Sequence, residues 1–370
     1  MPSFAFALLL TLSLQTKYAM PLAISVRSDT PVVPMVHQGK AYLVYELEMF
    51  SYNPTPCELT EISVRNGKGK VIASLSGDAL DKCLVHQSLV ASPHPRIFDP
   101  AKLVVAYMWV ELRQNSIPSE INHKLTFKRD DSGPSTVSGA PIKISTQRPV
   151  IVQPPLEGSH WIAGDAPSNI SGHRRSRMTV NGHSSIGQRF AVDWFMINDN
   201  GVTCSGPPDK NESYFAYGRN VFACADAKVA VVVDGLKENV PHNNSMAVVI
   251  TQRTIPGNHV ILDLGHGIYA AYAHMIPGSI RFKPGQRVRA GQIIGKLGNS
   301  GNSEEPHLHF QIMNAPDFLA SEGIPFGHPS LTVQPADLTI DKDLKVKLKG
   351  RRTKIKNQMP MENDCVEFQI

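Results

Sequence analysis

"EEPHLHFQI" spans residues 304–312, and its alternation decides how this part of the chain is built. In an extended strand, successive side chains point to opposite faces. Leu308, Phe310 and Ile312 then enter a core, while His307 and His309 point together to the other side. Two imidazoles on one strand face can serve a metal or a catalytic centre. They can equally be ordinary surface residues, so the surrounding sequence has to decide.

That sequence is β throughout. "AKVAVVVDG" (227–235) reads as a strand, and "HVILDLGHGIYAAYAHM" (259–275) as a hairpin turning at Gly265-His266-Gly267 and ending near His274. "FKPGQRVRAGQIIGKLGNSGNS" (282–303) places glycines at its turns. No long amphipathic helical period and no strand–helix–strand rhythm occurs. Further upstream, Asp193 sits in the apolar segment "QRFAVDW" (188–194), where a carboxylate needs a partner. His183 lies ten residues before it in "NGHSSIGQRFAVD" (181–193). Hydrolytic zinc centres use neutral imidazoles and a carboxylate and leave one position open for water. These are the residue types in hand. Neither a G-x-S-x-G elbow nor an H-E-x-x-H helix is present, which argues against a serine hydrolase or a zincin.

At these residues the chain resembles the M23 zinc metallopeptidases, the lysostaphin-type or LytM-type peptidoglycan endopeptidases. The resemblance rests on "GNHVILDLGHGIYAAYAHM" (257–275) and "VRAGQIIGKLGNSGNSEEPHLHF" (288–310), in the family's order, and covers roughly residues 180–315. It implies a small antiparallel β-sheet with a groove and one Zn2+. It implies that His309 and Asp193 are metal ligands and that His307 and His274 are catalytic histidines beside the metal. The family's remaining ligand is the histidine of H-x-x-x-D. Here that position is Arg189, whose guanidinium stays protonated and does not bind zinc. The third ligand is therefore expected from elsewhere: His183 first, His173 in "SGHRRSR" (171–177) as the alternative, or no third protein ligand. The chain also departs from the family after Asp193, where "FMINDNGVTCSGPPDKNES" (195–213) is inserted. That insertion is expected either as a rim of the groove or as a tolerated surface loop.

The N-terminal half reads differently. "AYLVYELEMF" (41–50) alternates, with Leu43, Tyr45, Leu47 and Met49 on one face and Glu46 and Glu48 on the other. With "LTEISVRN", "KVIASLSG", "LVVAYMWVELR" and "NHKLTFKR" it suggests an Ig-like β-sandwich over residues 21–130. Residues 131–155 have the Pro, Ser and Gly content of a linker. An M23-like domain follows over 156–340, and a basic tail over 341–370, where "LKVKLK" alternates as an edge strand would. The fold class expected is all-β: an N-terminal Ig-like sandwich followed by an M23-type antiparallel sheet.

The 370 residues are 42% hydrophobic and 19% charged, ordinary for a globular chain, and the net charge of +5 is mildly basic, which weakly favours anionic surroundings such as cell wall, nucleic acid or a membrane surface. The apolar run Phe4–Leu14 reads as the core of a signal peptide over residues 1–20, and no later run is long enough to span a bilayer. Export to the periplasm or the extracellular medium is expected. In that setting Cys57–Cys83 and Cys204–Cys224 are plausible disulfides. The basic tail lacks the interleaved aromatics of a single-strand nucleic-acid platform, so nucleic acid is not expected as a partner. The expected partners are peptidoglycan peptide stems or cross-bridges, and the oligomeric state is left open. The function implied is hydrolysis of peptide bonds in peptidoglycan cross-links. The alternative is an inactive M23-like protein that binds peptidoglycan or activates a hydrolase. Retention of His274, His307, His309 and Asp193 favours the enzyme, and Arg189 speaks against it.

Overall fold

The computed structural model describes residues 22–28, 32–87, 92–129, 132–243, 245–338 and 345–369. The expected signal segment, residues 1–20, lies outside them. Two five-stranded antiparallel sheets form the N-terminal sandwich. One is centred on Lys40–Ser51 paired with Leu103–Arg113, the other on Cys57–Asn66 paired with Glu120–Arg129. Leu43, Tyr45, Leu47 and Met49 enter the core between the sheets, facing Leu59, Ile62, Leu125 and Phe127. The opposite face of the same strand is not left to solvent. Tyr42 and Val44 join the core of the second domain, and Glu46 is buried at the junction.

The second domain is built on an eleven-stranded sheet. Its middle runs from the hairpin Asn258–Gly265/Ile268–Met275 through Leu308–Met313, Val192–Met196 and Gly158–Gly164 to Asp364–Phe368. One face packs Trp194, Leu308, Phe310, Ile312 and Tyr272 into a single core. Among the described residues no helix is long and apolar enough to cross a membrane.

The structure redraws three boundaries. Residues 132–143, expected in a linker, form a strand paired with Glu120–Arg129. Its register shifts fall between Ser132 and Ser135 and between Gly139 and Ile142, where Pro134 and Pro141 sit. An edge strand tolerates such prolines, because one side of it has no ladder to supply. The second domain begins earlier than residue 156, since Val150–Ile151 pairs with Phe326–Gly327 and Val152 is in its core. The expected basic tail is part of the sheet. Asp364–Phe368 lies between Gly158–Gly164 and Leu331–Leu338, and Cys365, Val366 and Phe368 are buried. Its apolar residues, rather than the preceding lysines, decide its place. Val346–Leu348 forms the edge strand on this side. All five cysteines are free thiols, so neither expected disulfide is formed.

Candidate metal and catalytic centre

The site grows from one row of residues across the sheet. Asp193 is directly opposite His309 on the neighbouring antiparallel strand, and Ala273 is opposite His309 on the other side. Beyond Asp193 the row continues to Gly164. Val192 and Trp194 face the core, so alternation turns Asp193 to the groove, as it does His309 between Leu308 and Phe310. Opposite residues on paired strands lie close enough for direct side-chain contact. His309 Nδ1 is 2.9 Å from Asp193 Oδ1.

His274 reaches the same face by a different device. Ala270 and Tyr272 point into the core, and strict alternation would send His274 after them. The pairing with Asn258–Gly265 slips by one residue between Tyr272 and Met275. His274 adopts φ +63° there, a left-handed conformation uncommon for a residue with a side chain. The resulting bulge returns Met275 to the core and turns His274 into the groove. Its Nδ1–H donates to the Ser300 carbonyl at 2.7 Å, which leaves Nε2 as the lone-pair nitrogen of the neutral ring. His307 is fixed in the same sense. Its Nδ1–H donates to the Glu305 carbonyl at 2.8 Å, its ring stacks on Phe195, and its Nε2 lies 3.5 Å from Asp193 Oδ2. Gly164 makes that stacking possible: a Cβ there would meet the Phe195 ring at 2.7 Å. The His274 and His307 ring centroids are 4.7 Å apart.

The fourth imidazole of the cluster is His173. It sits on the short helix Gly172–Arg175, begun by Ser171, whose side chain accepts from Arg174 N–H. Asp165 steadies this turn by accepting from Gly172 N–H at 2.8 Å. His173 Nδ1–H donates to the Asp165 carbonyl at 2.9 Å, and Nε2 lies 3.4 Å from Asp193 Oδ2. The ligand atoms of His173, Asp193 and His309 all lie within 4.8 Å of one another, and the three residues are buried. His183, the residue expected beside Asp193, stands apart. It is exposed on the two-stranded hairpin Met178–Val180/His183–Ser185. Asn181 and Gly182, both at positive φ, make the tight turn that carries it away.

Electrostatics fit the arrangement. Burial alone would raise the Asp193 carboxyl, yet the facing His173, His307 and His309 imidazoles hold it far below the ordinary carboxylate range. Burial lowers His173 and lowers His274 strongly, disfavouring the charged form of each ring. His309 behaves oppositely. Burial works against its charge, but the hydrogen bond to Asp193, the charge of that carboxylate and the bond to Gln311 together outweigh it and raise the ring's pKa. Both nitrogens of His309 face acceptors, Asp193 Oδ1 and, at 2.8 Å, Gln311 Oε1. Gln311 is held in turn by donating to the Gly187 carbonyl.

Two neutral-capable imidazoles and a carboxylate are a donor set suited to Zn2+. The outer contacts fit as well. His173 is anchored through Nδ1 and presents Nε2; His309 is anchored by Gln311 through Nε2 and presents Nδ1. Ligating histidines are oriented in this way by a partner on the second ring nitrogen. A cleft of about 720 Å³ opens over the cluster. Phe195, Ile197, Leu338 and Val346 line it together with Ile255, Pro256 and Phe318, and Glu304 and Glu305 also reach it. The insertion after Asp193 contributes Ile197 and Thr203 to this lining.

Sequence reasoning had no signal for Gln311 or Phe195 beyond their positions on the groove faces of their strands. His173, expected only as the alternative to His183, is the imidazole the structure brings to Asp193, on a turn that Ser171 caps.

Residues 214–320 match the family model Peptidase family M23. The peptidoglycan DD-endopeptidase ShyA of Vibrio cholerae is 38% identical over 68 residues, which is 18% of this chain and 15% of that protein. The glycyl-glycine endopeptidase ALE-1 of Staphylococcus capitis is 45% identical over 58 residues, 15% of this chain and 16% of that one. The matched segments thus span under a fifth of either relative's length. Among solved structures, the catalytic domain of lysostaphin from Staphylococcus simulans aligns at 23% identity. The alignment covers 44% of this chain and 84% of that one, with a TM-score of 0.23.

Proposed function

From the premise that the chain carries a domain of peptidase family M23, we propose that it is an exported zinc metalloendopeptidase. Its substrate is a peptide bond in a peptidoglycan cross-link. The observation that carries this reading is the convergence of His173, Asp193 and His309, each imidazole anchored through its other nitrogen. His274 and His307 stand beside them, each with Nδ1–H tied to a carbonyl. The names of the two relatives, a peptidoglycan DD-endopeptidase and a glycyl-glycine endopeptidase, support the choice of substrate.

His173, Asp193 and His309 would hold the metal, with His173 in the place first expected for His183. Bound there, zinc supplies Lewis acidity toward the scissile carbonyl and the attacking water. The chain's own residues do the rest. The cleft seats an extended peptide between its apolar walls. His274, kept neutral by burial, accepts a proton from the water at Nε2 as the water oxygen bonds the carbonyl carbon, and returns that proton to the leaving amine as the C–N bond breaks. His307 holds its ring against Phe195 with Nε2 turned to the same place; carrying a second proton there, as an imidazolium, it would donate Nε2–H to the carbonyl oxygen as charge develops. Asp193 stays ionised through this, because three imidazoles face it.

Arg189 fits this reading. In place of the family's histidine it makes a buried ion pair with Glu46 and Glu322, while His173 brings the missing imidazole from another element. The departure from H-x-x-x-D therefore does not by itself favour an inactive relative.

The test is digestion of defined muropeptides by the purified chain, read by mass spectrometry with and without chelator. Peptide release that stops on chelation and returns with zinc is expected. Metal analysis should find about one zinc per chain, and none in His309→Ala, as three protein ligands and a water imply. Binding of peptidoglycan without release of any peptide would support the inactive reading instead.

A further inference from the structure

The arginines on and just after the turn that carries His173 reach across to the N-terminal sandwich. Arg174, adjacent to His173, is fully buried and pairs with Glu46 on the sandwich strand Lys40–Ser51. Its Nη2 also donates to the Tyr45 carbonyl at 2.9 Å. Arg175 donates to the Lys82 carbonyl at 2.7 Å, and its guanidinium lies over the Tyr107 ring. Arg177 pairs with Glu48.

The same Glu46 oxygen that receives Arg174 also receives Arg189. Arg189 stands four residues before Asp193 on the run into its strand. One buried carboxylate of the first domain thus ties together the segments that carry two of the three candidate ligands of the second. His173 has no strand of its own to hold it. Its helix is four residues long, and a single turn has little stability alone.

Resting on the metal-site reading above, we propose that Glu46 is a positioning residue for the metal. The sandwich domain then completes the metal centre: it holds the His173 turn at ligand distance from Asp193 and His309. Glu46 touches neither metal nor substrate and acts through Arg174 and Arg189. A ligand fixed before binding costs less ordering when the metal arrives, so loss of the clamp appears as weakened affinity. Outer partners of metal ligands typically change affinity by roughly ten- to a hundred-fold.

The experiment is zinc affinity by chelator competition on the full chain, with the visible spectrum of the Co2+-substituted protein as a second readout. Wild type, Glu46→Gln, His173→Ala and Val64→Ala are compared well below their unfolding temperatures. Val64 lies in the sandwich core on the sheet opposite the strand of Glu46, so its variant loses stability without removing the Glu46 ion pairs. Glu46→Gln is expected to weaken zinc about ten- to a hundred-fold and to alter the Co2+ spectrum, whereas Val64→Ala does neither. Glu46→Gln leaves two buried arginines short of a charge and is prone to misfolding. The paired replacement Glu46→Met with Arg174→Met removes the ion pair while keeping volume, and it carries the test in that event. Wild-type affinity in either folded Glu46 variant, with affinity lost in His173→Ala, overturns the proposal and leaves the metal site standing. Absence of zinc binding by wild type overturns the metal-site reading itself.

Discussion

Asp193 is a carboxylate buried among imidazoles. The ligand atoms of His173 and His309 converge with its own within 4.8 Å; His274 and His307 stand beside this group with Nδ1–H on a backbone carbonyl, His307 Nε2 also lying 3.5 Å from Asp193 Oδ2. The metal role proposed for the first pair and the catalytic role proposed for the second predict separable phenotypes. His274→Ala should keep its zinc, measured by metal analysis, and lose about two to four orders of magnitude in peptide release. His309→Ala should lose both. A His274→Ala protein that arrives without metal would place His274 among the ligands instead.

At the scale of elements, two local devices decide where histidines end up. The bulge at His274 reverses its face. The Asn181-Gly182 turn carries His183 out to solvent, although His183 is much nearer than His173 to Asp193 along the chain. Accordingly His183→Ala should retain wild-type zinc content and hydrolysis, while His173→Ala should lose zinc; the same metal analysis reads both. The final strand supplies a third case. Asp364–Phe368 is paired on both sides and buries Cys365, Val366 and Phe368. Deleting residues 364–370 opens the sheet next to Gly158–Gly164, the strand that neighbours Asp193. Circular dichroism should then record a sharply lowered melting temperature or no folded state, whereas a dispensable tail would leave the melt unchanged.

For the whole molecule, each domain carries a buried histidine outside the site. His123 in the sandwich and His328 in the second domain are both pushed down to about 4 by burial, against 6.5 for the free side chain. His123 donates Nδ1–H to the Ala140 carbonyl and meets Tyr45 Oη at Nε2; His328 donates to the Val152 carbonyl. Because the folded values are depressed, the unfolded chain binds these protons first as pH falls. Their contribution is complete above about pH 6.5 and is lost progressively towards pH 4. Each is worth on the order of 3 kcal/mol, taken at 1.36 kcal/mol for each pH unit. Denaturant midpoints should therefore fall steeply between pH 6.5 and 4, and His123→Gln should flatten that slope. An unchanged slope would mean that other groups govern acid unfolding.

The chain's own pattern determined the β character of both halves and the inward faces of Lys40–Ser51 and Leu308–Met313. It also carried the likeness to peptidase family M23 and brought Asp193, His274, His307 and His309 forward as site residues. The faces follow from alternation, and the site residues from the resemblance to the family's motifs; both are read locally along the chain. What only the tertiary structure decided involves contacts distant along the chain. A glycine- and proline-bearing stretch became an edge strand because Glu120–Arg129 offered a free ladder. A lysine-rich terminus became sheet because its apolar residues fit between two strands. Arg189 took a partner 143 residues away, and His173 reached Asp193 on a turn fastened to another domain. Spacing along the sequence carries no information about such partners, since burial and charge pairing are satisfied in space.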